Sequence, residues 1–164
     1  MTDIPAGSAE GQRHGSKIGY TYIKIKGHCK ISTNPDASSN GARQRVYMWL
    51  VLDKFASGQS FSYGDVFHGP GGNCELWTWQ NKDRFVVVGQ QVLPFQLPLL
   101  DGSNKHVGVF DKHKEFEFKR KLSFECHYGE NGSVIRNNLF LLFACTVNCE
   151  MVLNVIPQIW FHSR

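Results

Sequence analysis

No stretch of this 164-residue chain approaches the roughly 18 consecutive apolar residues that a membrane-crossing helix needs, so no membrane partner is expected. Nor does it open with the charged, then apolar, then small-residue series of a secretory leader. Its five cysteines, Cys29, Cys74, Cys126, Cys145 and Cys149, are an odd number, which favours a reducing compartment and free thiols acting as small buried hydrophobes. Cys145 and Cys149 lack the spacing of a zinc pair. No second ligand pair stands at finger-like distance from His28-Cys29 or Cys126-His127, so neither metal nor cofactor is expected.

Catalytic signatures are equally sparse. There is no Gly-x-Ser-x-Gly elbow, no glycine-rich phosphate loop ending in Gly-Lys-Ser/Thr, and no His-Glu-x-x-His. The seven histidines are scattered, and His113 and His127 fall on the polar face of a strand, where a solvated imidazole is the ordinary finding. Asp53, Asp65 and His68 combine into an acid–base set only as such residues do in any chain of this size. An enzyme is not expected. Internal repeats with a period of roughly 20 to 50 residues are missing too, which excludes a propeller or solenoid.

What is present is alternation. In residues 17 to 33, Ile23, Ile25, Cys29 and Ile31 share one parity, while Tyr20, Tyr22, Lys24, Lys26, His28 and Lys30 share the other, so a strand here packs with one face and shows a basic, aromatic face. That second row contains no carboxylate. After the polar turn of residues 34–41 comes a second strand, with Val46, Met48, Leu50 and Leu52 on one side and Arg43, Arg45, Tyr47, Trp49 and Asp53 on the other. Phe61 to Phe67 allows one short helix, which Gly69-Pro70-Gly71-Gly72 ends.

Residues 84–93 are β-branched, with Gly89 at a bulge or bend. Residues 112–128 alternate Phe116, Phe118, Leu122, Phe124, Cys126 and Tyr128 against His113, Glu115, Glu117, Lys119, Lys121, Glu125 and His127, and their length calls for a bend or two consecutive strands. A continuous apolar run from Leu139 to Val147 and a last strand from Leu153 to Phe161, marked as edge or bulge by Pro157, complete the pattern. The expectation is an all-β fold: an eight-stranded jelly roll, that is a two-sheet antiparallel sandwich, with one short helix after the second strand. One domain over residues 1–164 is expected, with 1–16 as an extended N-terminal segment. The formal charge of +4 implies mild attraction to phosphate, too little to wrap nucleic acid by charge alone.

The order of several motifs resembles a known family. Asp3-Ile4-Pro5-Ala6-Gly7 and Gln12-Arg13-His14-Gly15-Ser16-Lys17-Ile18, running into Tyr22-Ile23-Lys24-Ile25-Lys26-Gly27, are similar to the approach to the first jelly-roll strand of geminivirus coat proteins. The second strand of that family ends in Trp-Leu-Val-x-Asp-Arg before a short Phe-Gly-x-x-Phe helix; this chain has Trp49-Leu50-Val51-Leu52-Asp53-Lys54 and then Phe61 to Val66-Phe67. Asn81-Lys82-Asp83-Arg84-Phe85-Val86-Val87 resembles the family's Asp-Arg-Tyr-x-Val strand, and Asn137-Asn138-Leu139-Phe140-Leu141-Leu142-Phe143-Ala144 its Asn-Ala-Leu-Leu-Leu-Tyr strand. Pro157-Gln158-Ile159-Trp160-Phe161-His162 is similar to its closing Ile-Tyr-Phe-Tyr.

The resemblance implies a capsid subunit of a circular single-stranded DNA virus, a homo-oligomer of 60 or more copies forming a small icosahedral shell in the virion. The host nucleus or cytoplasm would be its place of assembly. It implies that the first strand's sheet faces the genome, with Lys17, Lys24, Lys26 and Lys30 meeting phosphates and Tyr20, Tyr22 and Trp49 stacking on unpaired bases. Arg43 and Arg45 join them if the turn folds inward. Tyr20 and Tyr22 equally suit a contact with a neighbouring subunit. The family's long basic arm has no counterpart before Lys17, and a shell of roughly 60 subunits at +4 each holds about +240, far below the phosphates of a kilobase-scale genome. Trp77 and Trp79, two residues apart, keep open a carbohydrate- or receptor-binding sandwich that does not assemble.

Overall fold

The computed structural model describes residues 4–7, 12–33, 43–55, 61–68, 76–77, 81, 83–96, 110–145 and 150–163. Nine strands and one helix follow in order among these residues: β1 (Lys17–Thr33), β2 (Arg43–Asp53), α1 (Tyr63–Val66), β3 (Phe67–His68), β4 (Leu76–Trp77), β5 (Phe85–Gln96), β6 (Phe110–Tyr128), β7 (Val134–Arg136), β8 (Asn138–Cys145) and β9 (Glu150–Ser163). One sheet has the order β7-β6-β1-β9 and the other β5-β2-β8, with β3 and β4 as a separate ribbon. All of these pairs are antiparallel. The pairing is nested, since β1 takes β9 and β6 as neighbours while β2 takes β8 and β5.

The all-β sandwich with a short helix after the second strand is therefore present, but among the described residues its two sheets hold seven strands, not eight. One reason lies in β6. Residues 112–128, whose length calls for a bend or two consecutive strands, lie within one 19-residue strand whose pairing with β1 shifts register between Tyr20 and Tyr22.

The main core lies between the sheets. Ile23, Ile25, Cys29 and Ile31 of β1 meet Val46, Met48, Leu50 and Leu52 of β2, and Phe116, Phe118, Leu122 and Cys126 of β6 complete the layer. Two of those phenylalanine rings lie against glycines. A Cβ at Gly89 would stand 2.5 Å from Phe118 Cζ, and one at Gly27 would stand 3.0 Å from Phe116 Cζ and 2.3 Å from the Asn154 carbonyl oxygen. The β2–β5 register also shifts between Leu50 and Val51, beside Gly89, where the sequence pattern anticipated a bulge or bend.

A second core covers the far side of β2. Tyr47, Trp49 and Val51 are buried with Val66, Phe67 and Phe85, so α1 and the start of β3 roof the sheet face that alternation assigned to solvent. Ser62 and Asp65 form a capping box at the start of α1. Below this roof Asp53 is only 1% exposed, and Arg84 holds it with two parallel bonds, Nε to Oδ1 at 2.9 Å and Nη2 to Oδ2 at 2.8 Å. The backbone amide of Lys54 also donates to the Arg84 carbonyl oxygen at 2.9 Å. Near the chain start, Ala6 and Arg13 form a parallel bridge, and the Arg13 guanidinium lies 4.2 Å from the centre of the Tyr128 ring while donating to the carbonyl oxygens of Ile4 and Gly15.

Two stability predictions follow from this packing. Arg84→Ala leaves the buried Asp53 carboxylate only the Phe55 amide as a donor among the described residues and should cost about 1.5 to 3 kcal/mol in urea unfolding, with Arg84→Lys recovering only part. Gly89→Ala should cost about 1 to 3 kcal/mol through the clash with Phe118, and the loss should shrink when Phe118→Leu is added; strictly additive losses would contradict the contact.

Candidate functional site

The solvent face of the β6–β1–β9 sheet gathers most of the residues singled out in the sequence. Strand registers fix their neighbours: Tyr22 lies between Lys121 and Trp160, Lys24 between Lys119 and Gln158, Lys26 between Glu117 and Ile156, His28 between Glu115 and Asn154, and Lys30 between His113 and Val152. Five lysines thus share a face with two glutamates. The basic row of β1 has no carboxylate of its own, but β6 brings Glu115 and Glu117 alongside.

Glu117 stands at the centre of the charge. It pairs with Lys24 at 3.5 Å and also with Lys119. The hydrogen bond from Lys119 holds the Glu117 carboxyl below its ordinary range, with the charges of Lys119 and Lys24 adding to it, and in return raises the Lys119 ammonium. On the other flank, Asn154 Nδ2 donates to His28 Nε2 at 2.8 Å. An open groove of about 520 Å³ runs past Lys26, His28, Glu115, Glu117, Asn154 and Ile156. Its walls carry both signs of charge.

Two aromatic residues do not belong to this face. Tyr20 is 1% exposed, and its hydroxyl lies 3.4 Å from that of Tyr128 inside the core. The reason is a register shift between Tyr20 and Tyr22. On the β9 side Thr21 is the extra residue of a bulge, so the inward set changes from Ile18 and Tyr20 to Ile23, Ile25, Cys29 and Ile31. The same change turns Lys17 outward, where it is exposed. Trp49 is also 1% exposed, stacked on Tyr47 at 5.5 Å and packed against Phe67 at 4.9 Å. Neither Tyr20 nor Trp49 offers a ring face to a base.

Arg45 is exposed but lies on β2, sharing the side of Tyr47 and Trp49, across the sandwich from the lysine face. The Arg43 side chain, and those of His68, Trp77 and Trp79, lie outside the described residues, as do the turn of residues 34–41 and Cys74 and Cys149. Asp53 and Asp65 are engaged by Arg84 and by Ser62, whose backbone amide and hydroxyl hold the Asp65 carboxyl below its usual range. Among the described residues no group of three or more His, Cys, Asp or Glu side chains is arranged to hold a metal ion.

The ring that does reach solvent beside Tyr22 is Trp160, 47% exposed, with ring centroids 5.2 Å apart in an edge-to-face contact. Lys119, Lys121 and Trp160 complete the face, and reading β1 by itself missed them. The outward parities of β6 and β9 were visible, but which strands flank β1 was not.

Burial around Tyr20 makes the core sensitive to alkali. Desolvation and the bond to Tyr128 raise the Tyr20 phenol far above its ordinary value, desolvation lifts Tyr128 to about 12, and burial lifts the Cys29 thiol to about 11. Each folded pKa lies above the unfolded one, so the stability from these neutral groups is complete below pH of about 9 and is lost as pH rises through the folded values. Urea midpoints should hold steady between about pH 7 and 8.5 and fall above 9. Absorbance of ionised Tyr20 should appear only with unfolding and that of Tyr128 only toward a pH of about 12, and ionisation of either near the ordinary phenol value in the folded protein would contradict their burial.

A family model described as Geminivirus coat protein/nuclear export factor BR1 family matches residues 1–162. No curated protein matches the chain.

Proposed function

The chain belongs to the geminivirus coat protein family, and from that premise we propose that it assembles with copies of itself into a closed icosahedral shell around single-stranded DNA. A viral capsid protein, and hence a virion component, is what the family supports directly. The chain's role is structural, not catalytic. Residues 1–164 act as one shell-forming domain, and the solvent face of β6 and β1 is the part of the sheet turned to the nucleic acid.

The observation that supports this orientation is the excess of lysine on that face. Lys24, Lys26, Lys30, Lys119 and Lys121 outnumber Glu115 and Glu117, Lys17 joins them below the bulge together with Glu125, and Tyr22 places an aromatic ring beside the cations. Lysines supply a sequence-independent attraction through counterion release, and exposed rings add stacking that tolerates any base. Tyr20 and Trp49 take no part, and Arg45 faces the other way. With Glu117 tied to two lysines, the attraction is moderate, so self-association and not charge alone holds the particle together.

Negative-stain microscopy and light scattering of the purified chain should show shells hundreds of ångströms across; a monodisperse monomer across wide ranges of pH and salt would sink the reading. For the face itself, replacing Lys24, Lys26 and Lys30 by Ala should reduce the slope of log affinity against log salt for an oligothymidine by about 2, at roughly 0.7 per phosphate contact. Glu117→Gln should do the opposite and tighten binding at low salt by about two- to five-fold. An unchanged slope in the triple variant would show that DNA lies elsewhere.

A further inference from the structure

The row of β9 on the same sheet face differs from its neighbours. Val152, Asn154, Ile156, Gln158 and Trp160 follow one another with no charged side chain, whereas the β1 and β6 rows beside it are mostly charged. Val152, Ile156 and Trp160 are 43%, 68% and 47% exposed. Four residues apart each, they form a line about 27 Å long at roughly 3.4 Å per residue.

We propose that this row is a contact between copies of the chain, made by side chains across the face of β9 and not by adding a strand to its edge. The proposal rests on the reading that the chain assembles, and it names the surface that does so. A charge-depleted apolar strip centred on Ile156 and ending in a tryptophan has the composition of an interface core. Phosphate has nothing to bind within it. Beside it stand Lys26 and Lys30 of β1 and, one strand further across the sheet, Glu115 and Glu117 of β6, which line one groove with Ile156, so both signs lie on one surface. A second copy presents the same two signs, which makes the rim complementary to itself.

The edge of β9 is a poorer partner than its face. Pro157 lies in the middle of the strand and removes one backbone donor from it, which interrupts any added strand. Size sets the strength. A strip about 27 Å by 10 Å covers roughly 270 Å², against about 800 Å² per partner in a stable pair, so the row is the centre of a larger, weak contact. Weak contacts repeated around a closed shell suffice where one does not.

Ile156→Asp in the full-length chain tests this, with particles followed by analytical ultracentrifugation and microscopy. The variant should need at least ten-fold more protein to assemble while keeping the wild-type circular dichroism and urea midpoint, since residue 156 is exposed. Trp160 gives a readout that needs no assembly-defective variant. Its emission, obtained as the difference between wild type and Trp160→Phe, should shift to the blue and lose iodide quenching when wild-type subunits assemble. Shells of Ile156→Asp at the wild-type concentration, or a Trp160 as quenchable in particles as in dissociated subunits, would overturn the inference and leave the shell reading intact. Protection of Trp160 by oligothymidine in dissociated subunits would assign the row to nucleic acid and overturn it as well. If the wild-type chain forms neither particles nor dimers, the shell reading fails and the contact with it; dimers without shells, lost in Ile156→Asp, would uphold the contact alone.

Discussion

Strand β1 is paired along nearly its whole length with β6 on one side and β9 on the other, and that double pairing is the constraint from which the rest of the sheet follows. A strand with two neighbours cannot rotate to suit its own sequence. Its side chains must alternate between the core and solvent in phase with both partners. The sequence of β1 cannot meet this with a single phase, because Ile18 and Tyr20 are even-numbered and Ile23, Ile25, Cys29 and Ile31 are odd. The register shift at Tyr20 and Tyr22 resolves the conflict. It places Tyr20 in the core against Phe124 and Tyr128, and leaves Lys17, Tyr22 and the lysines on one outer face.

The second strand answers a different demand. Buried on both sides, β2 packs Met48 and Leu50 between the sheets and Trp49 and Val51 under α1 and β3. The roof has to be fixed in place, and an ion pair with a buried carboxylate lies at its base. Asp53 ends β2 and Arg84 directly precedes β5, so their double hydrogen bond joins the two neighbouring strands where both leave the sheet. Such a pair adds little net stability compared with a well-packed apolar equivalent, but Asp53 alone is costly to bury, so the pair ties the end of β2 to the start of β5.

Much of the fold was legible in the sequence. The extents of β1 and β2, the helix within residues 61–67, and the strands β5, β8 and β9 all follow from alternation, β-branching and turn residues, which act locally. The misplaced features have a common origin in contacts between distant segments. Alternation alone puts Trp49 at a surface, because nothing in residues 43–53 announces that residues 61–67 fold back over them. Alternation from Ile23 onward puts Tyr20 outward; even-numbered Ile18 hints at the change of phase, but where the bulge falls is a compromise with β6 and β9. The lysine face was recognised, but Glu117, Lys119, Lys121 and Trp160 join it from strands about 90 and 135 residues later, and strand adjacency is not a local property.

Charge belongs to a sheet face and not to a strand. The basic row of β1 loses part of its potential to Glu117, which two lysines share, so the face attracts polyanions less than its own residues imply. Moving across the sheet from β6 to β9, over about 10 Å at roughly 4.8 Å per strand, the surface passes from ionic to uncharged and apolar. Such a gradient suits one sheet serving two kinds of neighbour. Hydrated, mobile phosphate is favoured where cations stay in water, and a protein surface is favoured where no charge has to be desolvated. The apolar row also lies at the sheet's edge, the one place where a neighbouring subunit can cover it and leave the lysines of β6 open.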